Sequence, residues 1–419
     1  MSQIRVRSLE AVIVDLPMRR LQRFAAIGAR DQSIVLIRIL TEDGIEGIGE
    51  AVTPSGPWWG GESVESIKLM IDRYIAPHVV GADPFAITPL MAAINRTLYG
   101  NSFAKAGVEM ALLDIQGKAL DLPLCDLLGG PRRSSLACSW PLATGKAEAE
   151  IAEAEAMIEA GRHNIFKMKL GALAPEQDVA RAGAVARALE GRASVRVDPN
   201  EQWDETTAKW AVPRMEEAGV VMVEQPMARW NHEASARLTA RTGAAVMIDE
   251  GVTTPEDMVR VAAMRAADLV SLKIMKSAGI LPTKRIADIA AAGGVSLYMG
   301  TFLESSIGTA ANMQLCVTLP ALPYGGELCG PGLIAEDIAA QPAIYSDFAL
   351  HLPDGPGIAA TLDEDRFRAF RRDRDYTVHS VPGQPEPSGQ TGPSDQPDIP
   401  DQTDIPDQAG IPDQTGTAG

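Results

Sequence analysis

Between residues 164 and 277 two patterns of apolar positions alternate. Five short runs, 165–170, 195–198, 221–224, 246–249 and 270–273, are almost continuously apolar up to their last residues. Runs of that length suit strands buried on both faces of a parallel sheet. Stretches 175–189, 204–218, 255–266 and 281–292 carry apolar residues at helical spacing instead. The strand ends recur about every 25 to 30 residues, the length that a strand, a returning helix and two short loops require. The pattern predicts consecutive parallel strands covered by helices. Each run also stops on a charged residue, in the order Lys169, Asp198, Glu224, Asp249, Lys273. A (β/α)8 barrel draws its catalytic groups from the C-terminal ends of its strands, where these five lie. One such charge would be an ordinary solvated residue; five in register are a set.

The first 128 residues read differently. Stretches 4–16 and 33–40 read as strands, with a return through Gly47-Ile48-Gly49-Glu50, and helical patterns follow at 63–74 and 103–120. Strands followed by helices indicate an α+β domain. Two segments read as loops: 19–31, with Arg19, Arg20, Arg23 and Arg30, and 53–62, with Trp58 and Trp59 among glycines and prolines. The tryptophan pair either forms a lid over a site or packs on its own domain. Gly129-Gly130-Pro131 punctuates the entry to the barrel. Its first strand is expected at 136–142, its seventh at 295–301 and its eighth near Glu327. The expected division is a capping domain at 1–128, a barrel at 129–344 and a segment at 345–379 that packs back on the cap. The remaining stretch, 380–419, repeats Ile-Pro-Asp-Gln at 399, 405 and 411 and is rich in Pro, Gly, Gln and Asp. It has too few large apolar residues to offset chain entropy and reads as a disordered acidic tail.

Composition narrows the partners. A hydrophobic fraction of 46% over 419 residues supports a large core. No apolar run reaches the ~20 residues of a membrane span, and residues 1–20 contain no secretory apolar segment. A net charge of −17 argues against a nucleic-acid partner. Four cysteines without metal-type spacing point to reduced thiols and a cytoplasmic location.

The charged set also has a chemistry. Asp198, Glu224 and Asp249 fall on three neighbouring strands. Three hard oxygen ligands without histidine or cysteine suit Mg2+ or Mn2+ and disfavour zinc. With 136–142 as the first strand, Lys169 and Lys273 are four strands apart in a ring of eight and face each other across its mouth. A substrate carboxylate on the metal would hold its α-carbon between two lysines, a geometry for moving a proton at carbon. Lys167, on the same strand face as Lys169, either takes part or only pairs with the carboxylates.

Phe166-Lys167-Met168-Lys169, Val197-Asp198-Pro199-Asn200, Glu224-Gln225-Pro226, Asp249-Glu250 and Leu272-Lys273 resemble the motifs of the enolase superfamily, muconate-lactonizing subgroup. The resemblance extends from about residue 4 to residue 375 and implies a modified (β/α)7β TIM-type barrel with an N-terminal α+β capping domain, commonly as a homo-oligomer. It implies metal binding by Asp198, Glu224 and Asp249, proton transfer by Lys169, and Lys273 on the opposite face. Glu327 is then a second acid or an orienting carboxylate, and Glu304 a catalytic or a structural one. The implied activity is closure of cis,cis-muconate or a chloromuconate to a muconolactone, with Arg20 or Arg23 assisting the dianionic substrate. The alternative is N-acylamino-acid racemisation or o-succinylbenzoate synthesis with the same lysine pair. The place where dipeptide epimerases carry Asp-x-Asp reads Thr301-Phe302-Leu303-Glu304, and no histidine stands near strand seven.

Overall fold

The computed structural model describes residues 4–23, 28–372 and 378–380, with backbone alone for Arg23 and for 378–380. The expected tail lies outside them, apart from residue 380.

Two long strands open the chain, β1 (Val6–Arg23) and β2 (Gly28–Thr41), and pair antiparallel from Val6↔Thr41 to Arg23↔Gly28. The segment expected as a loop at 19–31 is therefore strand on both sides. Arginine-rich composition reported solvent exposure there, whereas cross-strand pairing decides the backbone. β3 (Glu46–Val52) completes the hairpin through the Glu42-Asp43-Gly44 turn, where Gly44 has φ +85°. Helices α1 (Val64–Met70), α2 (Ala76–Val79), α3 (Ile87–Thr97) and α4 (Ser102–Leu120) follow. α4 lies across β3 so closely that a Cβ on Gly47 or Gly49 would sit within about 2 Å of its carbonyl oxygens, so only glycine fits. α4 is buried on nearly every side because it also meets the barrel.

After α5 (Leu124–Leu127), the stretch expected as one strand is two. β4 (Ser135–Ala137) leaves for a small antiparallel sheet, and β5 (Trp140–Leu142) opens the barrel. The alternation continues through α6 (Ala147–Glu159), β6 (Ile165–Lys169), α7 (Pro175–Ala188), β7 (Ser194–Asp198), α8 (Glu205–Glu217) and β8 (Val220–Glu224). It goes on through α9 (His232–Thr239), β9 (Ala245–Ile248), α10 (Pro255–Met264), β10 (Leu269–Leu272), α11 (Ile280–Ala292), β11 (Ser296–Met299) and α12 (Ser306–Cys316). Strands β5 to β11 form one parallel sheet in chain order. The ring closes at Gly326, which bridges Cys138 on one side and Met299 on the other. The eighth place is thus an isolated bridge. A side chain on Gly326 would meet the carbonyl oxygen of Met299.

The chain then forms α13 (Gly330–Leu333), β12 (Tyr345–Ser346) and β13 (Ala349–His351), and β13 pairs with β4. α14 (Glu364–Phe370) returns to β1, and β14 (Val378–Ser380) pairs with it. The result is an α/β barrel with a separate N-terminal sheet domain.

The barrel interior is layered. Met222, Ala245, Met247, Leu269 and Tyr298 form a buried apolar plug. Lys167, Glu224 and Glu327 are buried in the interior with it, and the strand ends carry the rest of the charged set. Among the described residues no helix is long and apolar enough to cross a membrane. All four cysteines are buried and unpaired.

Candidate active site

Lys169, Asp198 and Glu224 are the last residues of β6, β7 and β8; Asp249 and Lys273 come one residue after β9 and β10. The parallel register places Lys169 beside Asp198. All five therefore stand on the same rim, as the sequence pattern predicts.

At that rim every carboxylate of the set is drawn to a lysine. Lys169 donates to Asp198 at 2.6 Å and to Asn200 at 3.3 Å. Lys273 donates to Asp249 Oδ2 at 2.6 Å. Lys167, 1% exposed, donates to Glu224 Oε2 at 2.7 Å and, more closely still, to Glu327. Burial opposes its charge, but Glu224, Glu327 and Asp198 outweigh burial and raise its pKa well above the usual lysine value. The Lys167 ammonium is thus buried between two carboxylates, Glu224 and Glu327.

The sequence reading missed Lys276. Buried, it donates to both the backbone oxygen of Asp249 (2.6 Å) and Oδ1 (2.7 Å). Burial opposes ionisation of Asp249, but Lys273 and Lys276 together hold its carboxyl well below the ordinary range. The signal was present as a lysine in the apolar run Leu272-Lys273-Ile274-Met275-Lys276. Glu250 stands out in the sequence only as a neighbour of Asp249 in a motif. It accepts from Asn200 at 3.1 Å, and burial, then Asp249 and Asp198, push its pKa up to about 8.

The donor set suits a hard divalent cation. Burial pushes Glu224 up to about 7, with Lys167 opposing and Asp198 and Asp249 adding to the rise. Glu224 Oε1 and Glu250 Oε2 are buried with no hydrogen-bond partner. Crowded carboxylates with bare oxygens are the environment a cation relieves. Among the described residues no group of three His, Cys, Asp or Glu stands in ligating geometry, and each of the three carboxylates is paired with lysine.

A small cavity of about 30 Å3, open to the surface, adjoins this rim. Its charged lining includes Lys169, Lys273 and Glu327, and its apolar walls include Trp58, Trp59 and Phe302. Trp59 is 5% exposed and meets Phe302 edge-on, 4.6 Å between ring centres. The cap loop's tryptophan is thus packed against the barrel's seventh strand end. Arg20 does not reach the cavity. It bonds the Pro141 oxygen at 2.8 Å and pairs with Glu153 at 3.1 Å beside the Trp140 ring, because an acidic partner and a carbonyl on the barrel wall satisfy it first. Arg23's side chain lies outside the described residues. Glu304 is buried and accepts from Thr301 Oγ1 and from the Phe302 amide at 3.0 Å, so it shapes the turn that carries Phe302.

A barrel with lysines and carboxylates at its rim and a separate N-terminal sheet domain has the architecture of an enolase-superfamily isomerase. The chain belongs to the mandelate racemase / muconate lactonizing enzyme family of the enolase superfamily. The N-terminal domain model of that family matches residues 8–129, and the "Enolase C-terminal domain-like" model matches 149–366. The family depends on a divalent metal. A chloromuconate cycloisomerase of Cupriavidus pinatubonensis is 54% identical over 361 residues, 86% of this chain and 97% of the relative. Muconate cycloisomerase 1 of Pseudomonas putida is 44% identical over 374 residues, 89% of this chain and all of the relative. Among solved structures, the muconate lactonizing enzyme of Pseudomonas fluorescens complexed with muconolactone superposes with a TM-score of 0.87 at 44% identity, covering 88% of this chain and all of that one.

Proposed function

We propose that this protein is a metal-dependent cycloisomerase that closes cis,cis-muconate, or a chloro-substituted muconate, to a muconolactone. The observation that carries the reading is 54% identity to a chloromuconate cycloisomerase across 97% of that relative. Two lysines on strands four apart, lining one cavity, fit the same chemistry.

One substrate carboxylate oxygen adds to the conjugated carbon and closes the ring. The displaced electron pair moves toward the other carboxylate as an enediolate. Lys169 gives its proton to the carbon beside that carboxylate and leaves as the amine. Lys273, fixed by Asp249, supplies positive charge on the opposite face. Lys167 and Glu327 hold Glu224 in place from below. Asp198, Glu224 and Asp249 would hold Mn2+ or Mg2+, which when bound stabilises the charge developing on a carboxylate. The apolar walls around Trp58, Trp59 and Phe302 keep water from the enediolate.

In this reading residues 1–128 form the cap, 129–344 the catalytic barrel, 345–379 the returning segment and 380–419 an acidic tail. The enzyme works in the cytoplasm as a homo-oligomer on a small dicarboxylate. Incubation with cis,cis-muconate and its chloro-derivatives should remove the diene absorbance. N-succinyl amino acids run in parallel in D2O should neither racemise nor take up deuterium. Racemisation without diene loss would replace this reading with the N-acylamino-acid racemase.

A further inference from the structure

Trp59 belongs to the N-terminal domain, yet its surroundings come from the barrel rim. Phe302 meets its ring edge-on at 4.6 Å. The ammonium of Lys273 lies 5.0 Å from the Trp59 ring centre and 4.5 Å from that of Phe302. The guanidinium of Arg229, on the loop after β8, lies 5.6 Å from the Trp59 ring centre. Arg229 also donates to the Trp59 carbonyl oxygen, through Nη1 at 3.3 Å and Nη2 at 3.2 Å.

Arg229 is itself fixed. Its Nε lies 3.0 and 3.1 Å from the two carboxylate oxygens of Glu201, and its Nη2 donates to one of them at 2.6 Å. The Arg229 amide donates to the same carboxylate at 2.6 Å. Glu201 sits three residues past Asp198, and its amide donates to the oxygen of Gln225, next to Glu224. A planar guanidinium can grip a carboxylate with one edge while another faces a carbonyl and a ring, which an ammonium cannot.

The salt bridge alone explains little. Arg229 and Glu201 are 41% and 20% exposed, and an exposed pair contributes about 1 kcal/mol or less. A cation–π contact adds about 0.5 to 2 kcal/mol. The geometry shows where these small terms act: on a cap residue whose ring faces the Lys273 ammonium. We propose that Arg229 is a positioning residue that, keyed to Glu201, holds Trp59 as the wall of the site beside Lys273. Arg229 acts through Trp59 and does not touch substrate. Without it the wall lifts, and the dianion binds beside a wetter, less confined ammonium.

This inference rests on the cycloisomerase reading for its kinetic arm only. Arg229→Met should lower kcat/KM for muconate about tenfold, mainly through KM, and Arg229→Lys should fall between it and the parent. In a Trp59→Phe background, Arg229→Met should add less than a twofold loss, because the contacts to the indole are already altered and the wall is already displaced. Full additivity of the two substitutions would overturn the proposal. Amide hydrogen exchange of residues 53–61 requires no turnover. Arg229→Met should speed it at least threefold while residues 34–40 of β2 stay unchanged. If 53–61 exchange at the parent rate, the proposal fails. If the exchange rises but no muconate is converted by the parent enzyme, the positioning role of Arg229 stands and the assigned reaction falls. Should Arg229→Met misfold, Arg229→Lys and Glu201→Gln carry the same exchange test.

Discussion

At the scale of single residues, the two rim lysines differ in what surrounds them. Lys169 reaches Asp198 and Asn200 from the edge of the cavity, whereas Lys273 is enclosed by two aromatic rings and Asp249. Lys169 is therefore the freer of the two to swing to a substrate carbon. Lys169→Ala should abolish deuterium uptake at the α-carbon of muconolactone in D2O. The loss should be about 10^2- to 10^4-fold, the range that a positioned proton carrier supplies. Metal binding, followed by calorimetry, should persist. Uptake at the parent rate would remove Lys169 from the mechanism. The rim residues were legible because the strand period fixed their phase. Lys276 and Arg229 were not, because each lies in a loop beyond a strand end. Nothing in a linear pattern says that Lys276 turns back to the Asp249 carbonyl or that Arg229 meets a tryptophan 170 residues earlier.

At the scale of elements, the domains are joined by carboxylates seated on helix N-termini. Glu50 of β3 accepts from the Ser305 amide at 2.9 Å and the Gly308 amide at 3.1 Å at the start of α12. Glu109 of α4 accepts from the amides of Ile280 and Leu281 at the start of α11. A helix N-terminus has unsatisfied N–H groups and a positive dipole end, so an acceptor there is favourable. Burial nevertheless pushes both carboxyls up to about 8, with these hydrogen bonds opposing. The folded protein then keeps each proton to about pH 8, while the unfolded chain loses it near the ordinary value of 4.5. Between those values unfolding releases a proton, so rising pH destabilises the fold. Glu109→Gln keeps an acceptor for α11 and removes that titration. Its melting temperature should fall less than the parent's between pH 5 and pH 8; parallel curves would refute the assignment. This layer was invisible in the sequence, where Glu109 lay unmarked in a helical stretch and Glu50 stood out only beside Gly49 in the family resemblance. Four of the barrel's helices, α7, α8, α10 and α11, were legible nearly to the residue, and two of them start on local caps: Asp204 accepts from the Thr207 amide and Thr254 from the Asp257 amide. The first barrel strand was misread as continuous because β4 and β5 are both apolar, and only tertiary pairing assigns them to different sheets.

At the scale of the whole molecule, the rim's lysines leave one oxygen each of Glu224 and Glu250 bare. A ligand that binds only the folded state stabilises it by RT ln(1 + [L]/Kd), about 2.7 kcal/mol at a hundredfold excess over Kd. Mn2+ or Mg2+ should therefore raise the melting temperature by several degrees, and a chelator should reverse the rise and abolish turnover. Asp249→Asn should lose most of that increment. An unchanged melting curve on adding metal would count against the carboxylate assignment.

The closure of the ring at one residue has a kinetic corollary. Gly326 is fastened by its own amide to the Ala137 oxygen at 2.9 Å, by the Ser139 amide to its carbonyl at 2.8 Å, and through the Glu327 amide to the Met299 oxygen at 2.7 Å. The two bonds to Ala137 and Ser139 span almost the full length of the barrel sequence, so their loop-closure entropy is the largest in the sheet. The seam should be the last part of the barrel to zip and the first to unzip. Each brief opening there would carry Glu327 away from Lys167 while the seven-stranded sheet stays folded. The amides of Ser139 and Glu327 should then exchange with solvent orders of magnitude faster than those of β7 and β8, making the seam the barrel's breathing point.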